Sequence, residues 1–118
     1  MSTDYSKMID TEIAQKVFFW LSNDFFPKGG LAHINNDGFF FFDNGNVKRK
    51  FDPCNNPADA WQIIVANNID IIQDNGQGCA LATNSAIQMF QGDDVHISQD
   101  ENPLRAAMIV FLMMQEEK

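Results

Sequence analysis

Hydrophobic residues recur every three or four positions in three stretches of the chain, which is the spacing of amphipathic helices. The first stretch begins at Asp10-Thr11-Glu12, a suitable helix start, and we expect its helix to run to about Leu21. The chain is then broken by Pro27 to Gly30. The apolar face predicted for this helix consists of Ile13, Val17, Trp20 and Leu21, extended by Phe18.

The second stretch follows Asn56-Pro57, which has the features of a helix start. Asn caps backbone N–H groups, and proline suits the first helical position because its missing N–H would be unpaired there. Asp59 then faces the positive end of the helix dipole. We expect the helix to stop at Asn67-Asn68, since Asn tolerates the left-handed conformation. One face of this helix is predicted to carry Trp61, Ile64, Val65 and Asn68, with Ile63 at the flank.

The third stretch opens with the same signal, Asn102-Pro103, and predicts a helix to about Glu116. Residues Leu104 to Met114 are apolar on nearly every side of this helix. Such a helix is either buried in the core or shared with a partner. Two alternatives therefore stand, a central core helix and a possible homodimer contact through Leu104 to Met114.

Two pairs of short apolar segments predict strands. Phe39 to Phe42 and Val47 to Phe51 flank Asp43-Asn44-Gly45, which is a strong hairpin signal because Asn-Gly adopts positive φ easily. Ile69 to Gln73 and Cys79 to Thr83 flank a glycine-containing turn at residues 74–78. We therefore expect two antiparallel hairpins.

Two further segments are less regular. Ser85 to Phe90 fits either a strand or a short helix, and Val95 to Ile97 fits a short edge strand. The order helix, hairpin, helix, hairpin, helix predicts an α+β fold, with a small antiparallel sheet of about four strands packed against about three helices.

The size and composition of the chain fit one domain over residues 1–118. No segment reaches the ~18 apolar residues that a membrane span needs, so we expect no membrane association. The first six residues are polar and acidic, unlike a secretory signal. Cys54 and Cys79 are too few for a disulfide framework and are expected to be reduced.

Charge is distributed unevenly along the chain. Between Phe51 and Leu104 there are eight acidic residues and no Lys or Arg, and this stretch accounts for the whole net charge of −8. A negative field of this kind repels nucleic-acid phosphates, so we expect no direct nucleic-acid binding. The eight acids are Asp52, Asp59, Asp70, Asp74, Asp93, Asp94, Asp100 and Glu101.

Two segments carry a family resemblance. Phe51 to Trp61, followed by Ile63-Ile64, and Asn102 to Leu112 resemble, in the same order, the NinX-type family of small phage and prophage proteins. The resemblance covers roughly the last two thirds of the chain, with Gln62 where family members usually have proline. It implies a phage-derived protein of unknown function in the bacterial cytoplasm, and it transfers no catalytic residue.

The residues with the best claim to a site lie in the same two segments. Arg105 is the one cation between Phe51 and Met114, and it stands near a helix start, where the dipole disfavours positive charge. We expect Asp52, Asp59 or Glu101 to compensate it, which gives either a structural salt bridge or an anion site. The candidate ligand or partner residues are Asp52, Asn55, Asp59, Trp61 and Arg105.

No pattern in the sequence predicts catalysis or a cofactor. His33 and His96 stand alone, Asp93-Asp94 and Asp100-Glu101 lie outside any calcium-loop pattern, and the glycines form no phosphate-binding loop. A thiol–imidazole pair at Cys54 is disfavoured, since acidic neighbours raise a thiol pKa. We therefore predict no metal site, no cofactor and no catalytic residue.

Three functional hypotheses follow. The first is a non-catalytic accessory protein that binds a host or phage protein through its acidic surface. The second is a small-ligand or enzyme domain with a site near Trp61, Asp52 and Arg105. The third is an acidic inhibitor that mimics DNA.

Overall fold

Four α-helices and six short strands form the described part of the chain. The computed structural model describes residues 4–21, 32–35, 37–43, 47–73 and 79–116. A 3-10 turn at Tyr5–Lys7 precedes the first helix. In chain order the elements are α1 (Asp10–Leu21), β1 (Ala32–Asn35), β2 (Gly38–Asp43), β3 (Val47–Lys50), α2 (Pro57–Ala66), β4 (Asp70–Ile72), β5 (Ala80–Thr83), α3 (Ala86–Phe90), β6 (Ile97–Asp100) and α4 (Pro103–Glu116).

The first sheet is antiparallel with the strand order β1-β2-β3. The predicted pairing of β2 with β3 is confirmed, while the predicted turn at Asn44-Gly45 lies outside the described residues. Phe39 and Phe41 of β2 are buried, and the Phe18 ring of α1 lies 5.1 and 5.2 Å from their rings, centroid to centroid. These contacts hold α1 against the sheet. Strand β1 was not predicted, because Ala-His-Ile-Asn has too little strand preference to stand out.

The second sheet is also antiparallel, with the order β4-β5-β6. The pairing of Asp70 with Thr83, and of Thr83 with Ile97, places the start of β4, the end of β5 and the start of β6 at one end of this sheet. The ambiguous segment Ser85 to Phe90 forms helix α3, with Ser85 as its N-cap. The third strand of this sheet, β6, covers Ile97–Asp100, so it begins two residues after the start of the predicted segment Val95 to Ile97.

Helix α4 is the centre of the core. All seven residues from Ala106 to Leu112 are buried, and the helix packs against the second sheet, α1 and α2. Ala106 and Ala107 are fully buried, and their small side chains allow close approach of the neighbouring elements. The burial favours the core alternative for this helix. A homodimer contact through Leu104 to Met114 would have to use its partly buried members Leu104, Met113 and Met114.

The α+β class is thus confirmed, with two three-stranded sheets where one sheet of about four strands was expected. The predicted bounds of α1, α2 and α4 agree with the structure. Four of the five residues predicted for the apolar face of α1 are buried, namely Ile13, Val17, Phe18 and Leu21, but both predicted faces were wrong in part. Trp20 is 45% exposed, and Trp61 and Val65 are 64% and 54% exposed. The buried face of α2 consists instead of Ala60, Ile63 and Ile64. Among the described residues, none of the helices combines the length and the apolar character needed to span a bilayer.

Candidate functional site

The segment between β3 and α2 is held by two side chains, those of the predicted N-cap Asn56 and of the first-turn acid Asp59. The Asn56 side chain accepts a hydrogen bond from the Ala58 backbone N–H at 3.0 Å. The Asp59 carboxylate reaches back and accepts one from the Asp52 backbone N–H at 2.9 Å. Burial of the Asp59 carboxyl raises its pKa, and the hydrogen bond from Asp52 only partly offsets this effect. Asp59 therefore serves to close the turn.

Asn55 connects this turn to helix α1. Its side-chain amide donates hydrogen bonds to the Asp52 carboxylate, at 3.1 and 3.2 Å, and to the Asp10 carboxylate at 3.0 Å. Asp10 and Asp52 would repel each other without a donor between them. The amide of Asn55 provides that donor.

Arg105 is fully engaged at the start of α4. Its guanidinium forms ion pairs with Asp10 at 2.6 Å and Asp100 at 3.0 Å, and its side chain is only 12% exposed. The same group donates to the backbone carbonyls of Ser6, at 3.1 Å, and Met8. The salt bridge was expected, but its predicted partners, Asp52, Asp59 and Glu101, were wrong. Asp10 is the residue that sequence reasoning missed, because nothing local signals a partner 95 positions away.

Asn102 completes the arrangement. Its side-chain oxygen accepts from the backbone N–H of Leu104 at 2.9 Å, as an N-cap does. Its amide donates to the Cys54 carbonyl at 2.6 Å, and the Asp100 carboxylate accepts from the Asn102 backbone N–H at 2.9 Å. We call this set the Arg105 network; its members are Asp10, Asp52, Asn55, Asp100, Asn102 and Arg105. It joins the beginnings of α1 and α4 to the turn before α2.

A polar cavity of about 220 Å³ lies beside the network. Arg105 and Trp61 do not line it. Its polar lining comes from Asp10, Thr11, Asp37, Lys50, Asp52 and Asn55. Within the described residues, no group of three or more His, Cys, Asp or Glu side chains is arranged to hold a metal ion. The structure therefore brings together four of the five predicted site residues, Asp52, Asn55, Asp59 and Arg105, as a bracing arrangement.

Trp61 lies apart from the other four. It faces a groove of about 470 Å³ between α2 and β4, together with Val65 and the partly buried Ile71. Among the described residues that line the groove, Asp70 alone is charged. A groove with an exposed indole and a carboxylate is suited to binding rather than to packing.

Asp70 belongs to a negatively charged end of the second sheet. Its carboxylate accepts a hydrogen bond from the Ala86 backbone N–H at 2.8 Å, which ties the start of β4 to α3. Asp93 and Asp94 follow α3 and are exposed, as are the apolar side chains of Ile87 and Phe90 on α3 itself. We call this surface the acidic end; its members are Asp70, Asp93, Asp94, Ile87 and Phe90.

The eight acids of the cation-free stretch thus have different roles. Asp52, Asp59 and Asp100 are partly buried and accept hydrogen bonds or ion pairs within the protein. Glu101 is exposed but follows β6 at the opposite end of the sheet from Asp70, and Asp74 lies outside the described residues. The negative surface is therefore smaller than the charge count suggests, and it is concentrated at the acidic end.

The cysteines do not form a reactive centre in the described structure. Both thiols are free, and Cys54 is fully buried. Burial raises the pKa of the Cys54 thiol strongly, and the nearby Asp10 carboxylate adds to the effect. A thiol held in its protonated form is a poor nucleophile, so Cys54 is a packing residue.

The comparison with known families gives a match over nearly the whole chain. A family model described as "Bacteriophage P22, NinX" matches residues 4–115, which is nearly the whole chain and extends beyond the two segments that carry the sequence resemblance. A search of the curated proteins found no match.

Proposed function

The chain belongs to the bacteriophage P22 NinX family, and from that premise we propose that it is a non-catalytic accessory protein that binds a host or phage protein. The binding surface is the acidic end together with the adjoining Trp61 groove. The partner carries a basic surface with exposed apolar side chains.

One observation supports this proposal above all. Three exposed carboxylates, those of Asp70, Asp93 and Asp94, stand beside exposed apolar side chains in a stretch of chain without Lys or Arg. Charged residues placed around apolar contacts speed encounter and set specificity, while the apolar contacts supply affinity. A surface with both features suits a protein partner better than a small molecule.

The small-ligand hypothesis has weaker support. It required Trp61, Asp52 and Arg105 to share a site, but Arg105 is occupied by Asp10 and Asp100 and Trp61 faces a different groove. A DNA mimic needs many carboxylates at phosphate-like intervals. Asp52, Asp59 and Asp100 are instead directed to partners within the protein.

The test is affinity capture from phage-infected bacteria with two variants of equal charge. One variant carries Asp70→Asn, Asp93→Asn and Asp94→Asn; the control carries Glu12→Gln, Asp37→Asn and Glu116→Gln, at exposed positions elsewhere. Either variant changes the net charge from −8 to −5.

We expect wild type and control to retain the same protein at low salt and to release it at high salt. The acidic-end variant should retain several-fold less of it. Equal retention by both variants, or no salt-sensitive partner at all, would contradict the proposal.

A further inference from the structure

The Trp61 indole is an exposed aromatic surface without a partner in the described structure. It is 64% exposed, and its N–H forms no hydrogen bond with the residues that the structure describes. The face of an indole carries negative electrostatic potential and attracts cations, most strongly among the aromatic side chains. Trp61 therefore offers a surface on which a cationic group can stack.

The groove beside the indole is large enough to admit a long side chain, and its lining is partly apolar. Its volume is about 470 Å³, and Ile64, Val65 and Ile71 contribute apolar surface. The methylene groups of Arg or Lys pack against apolar surface of this kind while the charged group remains at the end. None of the described residues that line the groove is a cation, so none of them repels an incoming positive charge.

Asp70 also lines this groove. One of its oxygens, Oδ2, accepts from the Ala86 backbone N–H at 2.8 Å, which fixes the position of the carboxylate. The other oxygen, Oδ1, accepts no hydrogen bond from the part of the chain that the structure describes. It is available to a donor that enters the groove.

From these three features we infer that the Trp61 groove binds an arginine side chain of the partner protein. The guanidinium stacks on the Trp61 indole and donates to Asp70, while its methylene groups contact Val65. Arginine fits better than lysine because its planar group stacks on aromatic rings and donates in fixed directions. The inference rests on the proposed function and deepens it, since it specifies the residue by which the partner is anchored.

The test uses the fluorescence of Trp61 alone. The chain has two tryptophans, so Trp20→Phe leaves Trp61 as the sole reporter. This protein is titrated with the blocked peptide acetyl-Gly-Arg-Leu-Gly-amide and with the same peptide carrying citrulline, an uncharged residue of the same shape. We expect a saturable change in emission and about tenfold weaker binding of the citrulline peptide, from the combined loss of the cation–π and ionic contacts.

A second variant isolates the contribution of Asp70. Asp70→Asn keeps an acceptor for the Ala86 N–H but removes the charge, so it should weaken binding of the arginine peptide roughly threefold to fivefold and leave the citrulline peptide unaffected. Equal binding of the two peptides to the Trp20→Phe protein would overturn the inference. So would a partner that binds in a salt-sensitive manner without changing the Trp61 emission; in that case the proposed binding of a partner at the acidic end would survive, and only the part assigned to the Trp61 groove would fall.

Discussion

At the scale of single residues, a few polar side chains hold the starts of the helices, Asn56 and Asn102 as caps and Arg105 through its ion pairs. Asn56 and Asn102 were predicted as helix caps and are caps, because capping depends on neighbours within three positions. Arg105 was predicted to need a counter-charge, but its partner Asp10 lies at the other end of the chain. Any of the sixteen acids could have filled that role, and only the packing of α1 against α4 selects Asp10.

Arg105 should contribute strongly to stability. Arg105→Met leaves Asp10 and Asp100 without their counter-charge. We expect the free energy of unfolding to fall by about 3 kcal/mol, the lower end of the cost of breaking a buried pair, because both carboxylates are partly exposed to solvent. Arg105→Lys should recover only part of this, since lysine cannot reproduce the several directed bonds of the guanidinium. Urea denaturation measures the change.

The matched control is Arg49→Met, at an exposed position on β3, where we expect a loss below about 1 kcal/mol. Equal losses at the two positions would contradict the bracing role of the Arg105 network.

The raised pKa of Asp59 predicts how the stability of the protein depends on pH. Its pKa in the folded protein is raised above the ordinary value of 3.8, mainly by burial. Ionisation is therefore harder in the folded state, and the contribution of Asp59 to stability falls as the pH rises from below 3.8 through its raised pKa. Asp59→Asn keeps an acceptor for the Asp52 N–H but cannot ionise.

We therefore expect the stability of Asp59→Asn relative to wild type to increase across that pH range and to level off above it. Asp59→Ala, which also loses the hydrogen bond, should be less stable than Asp59→Asn by about 1 kcal/mol throughout. Thermal unfolding at a series of pH values provides both comparisons. A relative stability of Asp59→Asn that decreases with pH would mean that the pKa is lowered instead.

At the scale of elements, the bounds of the long helices followed from the sequence, but the buried faces did not follow fully. Trp61 and Val65 match the period of a helix face as well as Ile63 and Ile64 do. The packing of α2 on α4 buries Ile63 and Ile64 and leaves Trp61 and Val65 exposed to solvent. Strand β1 carries too few apolar residues to be predicted from the sequence. It forms through its antiparallel pairing with β2. The Trp61 groove results from the way in which α2 packs on α4, so the spacing of apolar residues along the chain could not predict it.

Helix α4 is predicted to be the least tolerant element. Leu112→Ala removes a buried side chain next to the fully buried Met108, and should cost about 2–5 kcal/mol. The matched control is Ile87→Ala on α3, where the side chain is exposed and the loss should stay below about 1 kcal/mol. Chemical denaturation of both variants tests the assignment, and similar losses would place the core elsewhere.

At the scale of the whole molecule, the acidic residues fall into two groups, those that bond within the protein and those that are exposed to solvent. The Arg105 network uses Asp10, Asp52 and Asp100 to hold α1, α4 and the turn before α2 together. The acidic end leaves Asp70, Asp93 and Asp94 exposed to solvent. The uneven charge of the cation-free stretch could be read from the sequence, because composition is visible without a fold. The sequence could not show which carboxylates bond within the protein and which are exposed to solvent. That difference depends on which acids lie close to Arg105 and to backbone N–H groups in the folded chain.

The most direct test of this division is carboxyl footprinting, in which a carbodiimide couples an amine to exposed carboxylates and mass spectrometry reports the extent at each residue. The protein is labelled alone and in complex with the partner recovered by affinity capture. We predict that the partner protects Asp70, Asp93 and Asp94 several-fold, while labelling of Glu12, Glu101 and Glu116 is unchanged. Protection confined to those three glutamates, with the acidic end labelled as before, would contradict the account.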